Sequence, residues 1–177
     1  MPWESIKLNS GYYIPSIAFG TWTLGDVQGP IDQNEVEQAL NNGYNHIDTA
    51  QNYRNEREAG NALKDSGLPR SDVFVTTKYS GVNSLDIPTS IKNSVDSLGV
   101  SYVDLYLIHS PRFAVPDIPT CWAQMERLQE DGLARSIGIS NFGIQDMEIL
   151  MASAKVKPAG QPDSPPPICL SATKAYP

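Results

Sequence analysis

"GYNHIDTAQNYRNE", residues 43–56, contains one whole passage from the end of a helix, through a strand, to the start of the next helix. Gly43 closes "DQNEVEQALNNG", in which Val36, Ala39 and Leu40 share one helical face. Glycine is the usual residue for ending a helix in the left-handed conformation. "YNHIDT" then alternates as a strand does, so His46 and Asp48 point to one side and Ile47 to the other. A charged aspartate ends this apolar strand, Tyr53 follows in the turn, and "RNE" opens the next helix. These residues are either loop filler or half of a site, and the rest of the chain decides which.

The same passage recurs on both sides. The N-terminus reads as a small hairpin, "SIKL", a turn at Asn9-Ser10-Gly11, then "YYIP". "SIAFGTW" is a strand ahead of the first helix. "NEREAGNALKDSG" is a helix ending at Gly67, followed by strand "DVFVTTK" and helix "IPTSIKNSVDSLG", where Ile91, Val95 and Leu98 share a face. Strand "VDLYLIH", helix "IPTCWAQMERLQEDG", strand "ARSIGIS" and helix "GIQDMEILMASA" complete five strand–helix units. Strict alternation implies parallel strands joined by right-handed crossovers. A doubly wound open sheet and a (β/α)8 barrel both satisfy it. No G-x-G-x-x-G follows the first strand and no P-loop occurs, which disfavours the open nucleotide-binding sheet. The expectation is an α/β chain in which residues 1–159 form an N-terminal hairpin plus about five β/α units, too few to close an eight-stranded barrel.

Length and charge restrict the partners. The 177 residues suit one domain, and a net charge of −7 argues against nucleic acid or an anionic membrane. Cys121 and Cys169 form no ligand-spaced pair, so no metal site is expected and a reduced compartment is the default. No apolar run approaches the ~18 residues of a membrane span, and "MPWESIKLNS" lacks a signal-peptide core. The chain is expected to be soluble and cytoplasmic, with a small molecule as its partner and no specific protein partner.

The strand ends carry the unusual residues: Gly20-Thr21-Trp22, Asp48, Lys78, His109 and Ser140-Asn141, with Tyr53 just past the second. Each has an ordinary role when taken alone. An aspartate there forms turns or caps, a tyrosine packs with its hydroxyl satisfied, a lysine snorkels, a histidine ends a strand, and "SNF" caps a helix. All of these would have to hold at once, at four successive strand ends of the same parity. Together the residues make one device. A lysine ammonium beside a phenol favours the phenolate, an aspartate holds the lysine, and a histidine orients a carbonyl oxygen and shares its developing charge. That set suits protonation of a carbonyl oxygen while a hydride reaches carbon. No side chain donates hydride, so a nicotinamide cofactor is implied. Ser140 and Asn141 supply groups for its carboxamide.

At this point the sequence resembles the aldo/keto reductases. "GTW" at 20–22, "GYNHIDTAQNYRNE" at 43–56, "TTK" at 76–78, "LIHSP" at 107–111 and "IGISNF" at 137–142 match that family's motifs in order and spacing. The resemblance implies a (β/α)8 barrel that uses NADPH, with NADH as the alternative, to reduce aldehydes or ketones. It implies Tyr53 as proton donor, Lys78 and Asp48 as its tuning pair, and His109 as carbonyl orienter. It further implies cofactor contacts from Gly20, Thr21, Asp48, Ser140 and Asn141, and a substrate pocket lined by Trp22, Tyr79 and Phe113. Ser110 stands where many members carry an aromatic.

After Lys157-Pro158 the rhythm stops, and residues 160–177 read as a proline-rich tail expected to lack structure. The resemblance implies three further strands, including a glutamine for the carboxamide and a cationic loop for the 2′-phosphate. Without them the chain as written is expected to bind NADPH weakly, to expose its edges, and to aggregate or pack loosely. An inactive barrel acting only as a binding partner is the alternative. From Ala159 the family pattern would run A-V-N-Q-I-x-x-H-P-Y. An allowed set of synonymous codons for Gly160–Leu170, read one nucleotide later, yields V-N-Q-I-L-L-H-P-Y-V. The tail is therefore expected to be out-of-frame peptide. Sequencing the gene should reveal that motif and three more strand–helix units in the next frame after Ala159, and a next frame without them refutes the expectation.

Overall fold

The computed structural model of the chain describes residues 4–22, 31–159 and 168–171. A hairpin of β1 (Ser5–Lys7) and β2 (Tyr13–Pro15) comes first, with Ile6 opposite Ile14. Its turn is closed by Leu8 N–H to Tyr12 O at 2.8 Å and Gly11 N–H to Leu8 O at 3.0 Å, and Gly11 adopts φ +89. Then come β3 (Ile17–Gly20), α1 (Gln33–Asn41), β4 (His46–Asp48), α2 (Glu56–Asp65), β5 (Phe74–Tyr79), α3 (Ile87–Leu98), β6 (Val103–Ile108), α4 (Ile118–Glu130), β7 (Ala134–Ile139) and α5 (Ile144–Ser153). These are the five units expected, at the expected places.

Helix starts follow from local chemistry. "DIPT" occurs at both 86–89 and 117–120. In each copy the aspartate accepts from the threonine N–H, at 2.8 Å for Asp86 and 2.7 Å for Asp117, while proline sits in the first turn, where no N–H is required. Asp32 and Glu35 form a reciprocal capping box on α1.

Every pairing in the main sheet is parallel, in the order β7-β6-β5-β4-β3, with a further strand β8 (Ile168–Ser171) beyond β3. Strand alternation divides the buried side chains into two clusters. Ile47, Val75, Tyr106, Ile108 and Ile137 face the helices and pack with Leu63, Ile91, Trp122 and Met125. Phe74 and Leu105 face the other way and meet Leu8 and Ile14 of the hairpin, together with Ala159. The hairpin therefore plugs the end where the strands begin and leaves their carboxyl ends for a site. Buried Asp104 braces the plugged end. It accepts from Arg70 at 2.7 Å, Arg135 at 3.1 Å and the Val75 N–H at 2.9 Å, linking β5, β6 and β7.

One element differs from expectation. Within the segment read as unstructured, β8 (Ile168–Ser171) runs parallel to β3, with Ile17 opposite Ile168 and Gly20 opposite Ser171. The physical reason is the edge. β3 presents unpaired N–H and C=O groups, and an extended apolar run such as "ICL" satisfies them without any periodicity visible in the sequence. Residues 160–167 and 172–177 of that tail lie outside the described residues. On the opposite edge, Ala159 N–H donates to Ile137 O of β7 at 2.7 Å.

α2 meets the C-terminal end of α3 backbone to backbone at Gly60. A Cβ on Gly60 would stand 2.5 Å from Leu98 O and 2.6 Å from the Leu98 carbonyl carbon and Cα. Alanine would gain about 1 kcal/mol of helix propensity, but pushing the helices apart costs about 1–3 kcal/mol. Gly60→Ala is accordingly expected to lower the urea midpoint, and a midpoint equal to or above wild type would show that the helices are not this close.

Candidate active site

The sheet carries each strand-end residue to the same rim. Ladder bonds continue past the strands: Thr21 N–H to Asp48 O at 2.9 Å, Thr49 N–H to Thr76 O at 2.9 Å, His109 N–H to Tyr79 O at 3.0 Å and Ser140 N–H to Ile108 O at 2.9 Å. These bonds hold the segments that bear Thr21, Asp48, Lys78, His109 and Ser140 in one register. Tyr53 closes a short 3-10 turn, Gln51–Tyr53, that bends back over the rim, and Arg54 in the left-handed conformation (φ +60) redirects the chain into α2.

Lys78 is the centre. It is only 5% exposed, and an ammonium has three protons to place. The Asp48 carboxylate, the Thr49 carbonyl at 3.0 Å and the Tyr53 hydroxyl at 3.5 Å accept from it. The ammonium also lies 5.1 Å from the centre of the Tyr53 ring. Removing one member of such a buried ion pair typically costs about 3–5 kcal/mol, so Asp48 is what makes a lysine tolerable here.

His109 packs against the phenol, its ring edge-on to Tyr53 with centroids 5.6 Å apart. Burial pushes its pKa down to about 4, reinforced by the Lys78 cation and opposed by Asp48. The ring is therefore neutral at pH 7. The half-buried Phe113 ring lies 6.4 Å from it, and Trp22 is 48% exposed at the rim. Asn141, at φ +58, donates from Nδ2 to His109 O at 2.9 Å and to Ser140 Oγ at 3.1 Å.

Two expected site residues are placed differently from the others. Tyr79 is adjacent to Lys78 and must point the opposite way. It is buried in the helix-side cluster, with its hydroxyl donating to Leu85 O at 3.0 Å, and does not join the rim. Thr21 is at the rim, but its hydroxyl is turned inward, 2.9 Å from Thr49 Oγ1 and 3.1 Å from Asn55 Oδ1. Gly20 lies opposite Asp48 in the sheet.

Sequence reasoning missed the supports. Asn55 is 2% exposed and donates from Nδ2 to Thr21 O at 2.8 Å, fastening the turn after Tyr53 to the end of β3. Gln51 accepts from Ser80 N–H at 3.1 Å and donates to Ser90 O at 3.0 Å. Ser80 Oγ lies 2.9 Å from His109 Nδ1. Only Ser80 left a signal: two residues past Lys78, it shares that residue's side of the strand.

The parallel strand–helix sheet carries an Asp–Lys–Tyr–His cluster at its carboxyl rim, the end at which such folds place their ligands. Residues 16–160 match the sequence profile of the aldo/keto reductase family, and the chain belongs to that family. Aldehyde reductase YPR1 of Saccharomyces cerevisiae is 38% identical over 183 residues, covering 88% of this chain and 58% of that protein. Glycerol 2-dehydrogenase (NADP(+)) of the same yeast is 36% identical over 182 residues, covering 87% and 57%. An aldo-keto reductase of Bombyx mori, solved in complex with NADP, superposes with a TM-score of 0.82 at 32% identity, covering 89% of this chain and 57% of that one. The chain thus spans just over half the length of the relatives it matches, and its sheet is part of that family's (β/α)8 barrel. Among the described residues no helix is long and apolar enough to cross a membrane, and no group of three or more His, Cys, Asp or Glu side chains could hold a metal ion.

Below Asp48 on the same strand face, His46 is 2% exposed, with Nε2 2.9 Å from Thr76 Oγ1 and its ring edge-on to Phe74. Burial lowers its pKa from 6.5 to about 4 against the opposing field of Asp48. The unfolded chain takes up this proton near pH 6.5 while the folded chain refuses it until about pH 4. Stability is therefore lost as pH falls through that window. His46→Gln is expected to lower the thermal midpoint at neutral pH yet to flatten its decline between pH 6.5 and about 4. Parallel declines in the two proteins would contradict this assignment.

Proposed function

We propose that this chain carries the catalytic rim of an NADPH-dependent reductase that converts aldehydes or ketones to alcohols. The observation that carries the reading is the buried Lys78 ammonium shared between Asp48, the Thr49 carbonyl and the Tyr53 hydroxyl, with a neutral His109 against the same phenol ring. The names of the yeast and silkworm relatives support NADP as the cofactor, with NADH the alternative.

The residues present fit a nicotinamide. Its carboxamide needs a donor for the oxygen and an acceptor for the NH2. Asn141 Nδ2 is already committed to His109 O and Ser140 Oγ, which leaves Asn141 Oδ1 as acceptor and the Ser140 hydroxyl hydrogen as donor. When bound, the cofactor supplies the hydride.

The chain's own residues handle the oxygen. A carbonyl seated between Tyr53 and His109 receives a hydrogen bond from the imidazole, and as charge grows on oxygen the Tyr53 hydroxyl gives up its proton. Hydride on carbon and this proton on oxygen make the alcohol. The phenolate left behind faces the Lys78 ammonium, whose charge stabilises it, and solvent reprotonates it. Asp48 acts through Lys78, holding the cation in place. Phe113 lies beside His109 and the exposed Trp22 follows the end of β3, so the substrate is expected to be a small carbonyl compound with an apolar part.

The test uses residues 1–159 joined to the C-terminal remainder of the yeast aldehyde reductase. The chimera is expected to oxidise NADPH in the presence of aldehydes. Tyr53→Phe in that chimera should reduce kcat by about 10²–10⁴-fold, the usual worth of a general acid, while NADPH still quenches protein fluorescence. Near-normal turnover by the phenylalanine variant would sink the reading.

A further inference from the structure

We propose that Ser80 is a positioning residue that selects the tautomer of His109, its hydroxyl donating to Nδ1 so that the ring proton stays on Nε2. The inference rests on the reading of His109 as the group that orients the substrate oxygen, but its test requires no turnover.

A neutral imidazole carries one N–H, and the partner of one nitrogen decides which nitrogen bears it. Nδ1 of His109 lies 2.9 Å from Ser80 Oγ, and a hydroxyl can either give or accept there. The other claims on Ser80 decide between the two. Among the described residues its hydroxyl has one alternative acceptor, Lys78 O at 3.5 Å, which is the outer limit of a hydrogen bond. Were Ser80 to accept from an Nδ1–H, its own proton would be left with that poor contact inside a residue only 4% exposed. Donation to Nδ1 satisfies both atoms with a bond of ordinary length.

The serine is held for this role. Its N–H donates to Gln51 Oε1 at 3.1 Å, and Gln51 Nε2 is anchored on α3 by Ser90 O at 3.0 Å and Ser94 Oγ at 3.3 Å. Gln51 also begins the 3-10 turn that ends at Tyr53. One side chain therefore sets the height of the phenol-bearing turn and of the serine that controls the imidazole. The His109 backbone is fixed from two sides, by its N–H to Tyr79 O at 3.0 Å and by Asn141 Nδ2 to its carbonyl at 2.9 Å. With Nδ1 committed to Ser80, Nε2 is the nitrogen left to meet a substrate. Bearing hydrogen it donates to a carbonyl oxygen; bare, it would repel one.

The chain has two histidines, so the imidazole region of a long-range 1H–15N correlation spectrum contains two ring systems, and His46→Gln assigns them by subtraction. At pH 7 both rings are neutral, since burial brings both pKa values to about 4. The wild-type chain is expected to give an unprotonated Nδ1 and a protonated Nε2 for His109. Ser80→Ala should move the two nitrogen shifts towards each other, as the ring relaxes to a tautomer mixture, and Ser80→Thr, which keeps the hydroxyl, should restore the wild-type pattern. An Nδ1–H pattern in the wild-type chain, or an alanine variant indistinguishable from it, overturns the proposal. If the alanine variant fails to fold, the wild-type spectrum alone decides. Loss of the Tyr53 proton-donor reading would leave this spectrum unchanged, so the two failures can be told apart.

Discussion

A lysine ammonium cannot sit inside a protein unless something answers its charge, and Lys78, at 5% exposure, is answered by Asp48 on the neighbouring strand. Much of the rim depends on this pair. The Thr49 carbonyl and the Tyr53 hydroxyl gather around the remaining ammonium protons. The same cation helps keep His109 neutral, second only to burial. The pair itself depends on parallel register: Asp48 aligns with Thr76, and Lys78 is on the same side of β5 two residues further up. A shift of one residue would turn Lys78 into the helix layer and bring Tyr79 to the rim.

Alternation therefore sorts the chain into two chemistries with one rule. Outward positions (Ile47, Val75, Tyr106, Ile137) make the core with the helices. Inward positions grade from apolar at the hairpin end, where Phe74 and Leu105 meet Leu8 and Ile14, to ionic at the other end, where Lys78 meets Asp48. His46 and Thr76 lie between the two regimes and bond to each other. The hairpin packs over the apolar end, away from the reactive groups.

The rim also shows how a site is braced from outside the reacting set. Thr21, Thr49 and Asn55 lock the end of β3 to the turn after Tyr53. Gln51 and Ser80 lock the start of that same turn to β5 and, through Nδ1, to His109. None of these supports carries a formal charge. Their contribution is geometric, in that the turn bearing Tyr53 is tied at both ends to the strands beside it.

The amino-acid pattern by itself determined the order of strands and helices, their parallel direction, and which residues reach the strand ends. Those properties follow from short-range periodicity and from the strict alternation of strands and helices. It also contained, in the adjacency of Lys78 and Tyr79, the fact that Tyr79 faces the helices and hydrogen bonds there. Only the tertiary structure decided that Ser80 meets His109, that Asn55 holds Thr21, and that Ile168–Ser171 lies along β3. Each of these joins residues far apart in the chain through a side-chain rotamer or an open backbone edge. No local pattern encodes such a choice, because it depends on what the rest of the fold brings alongside.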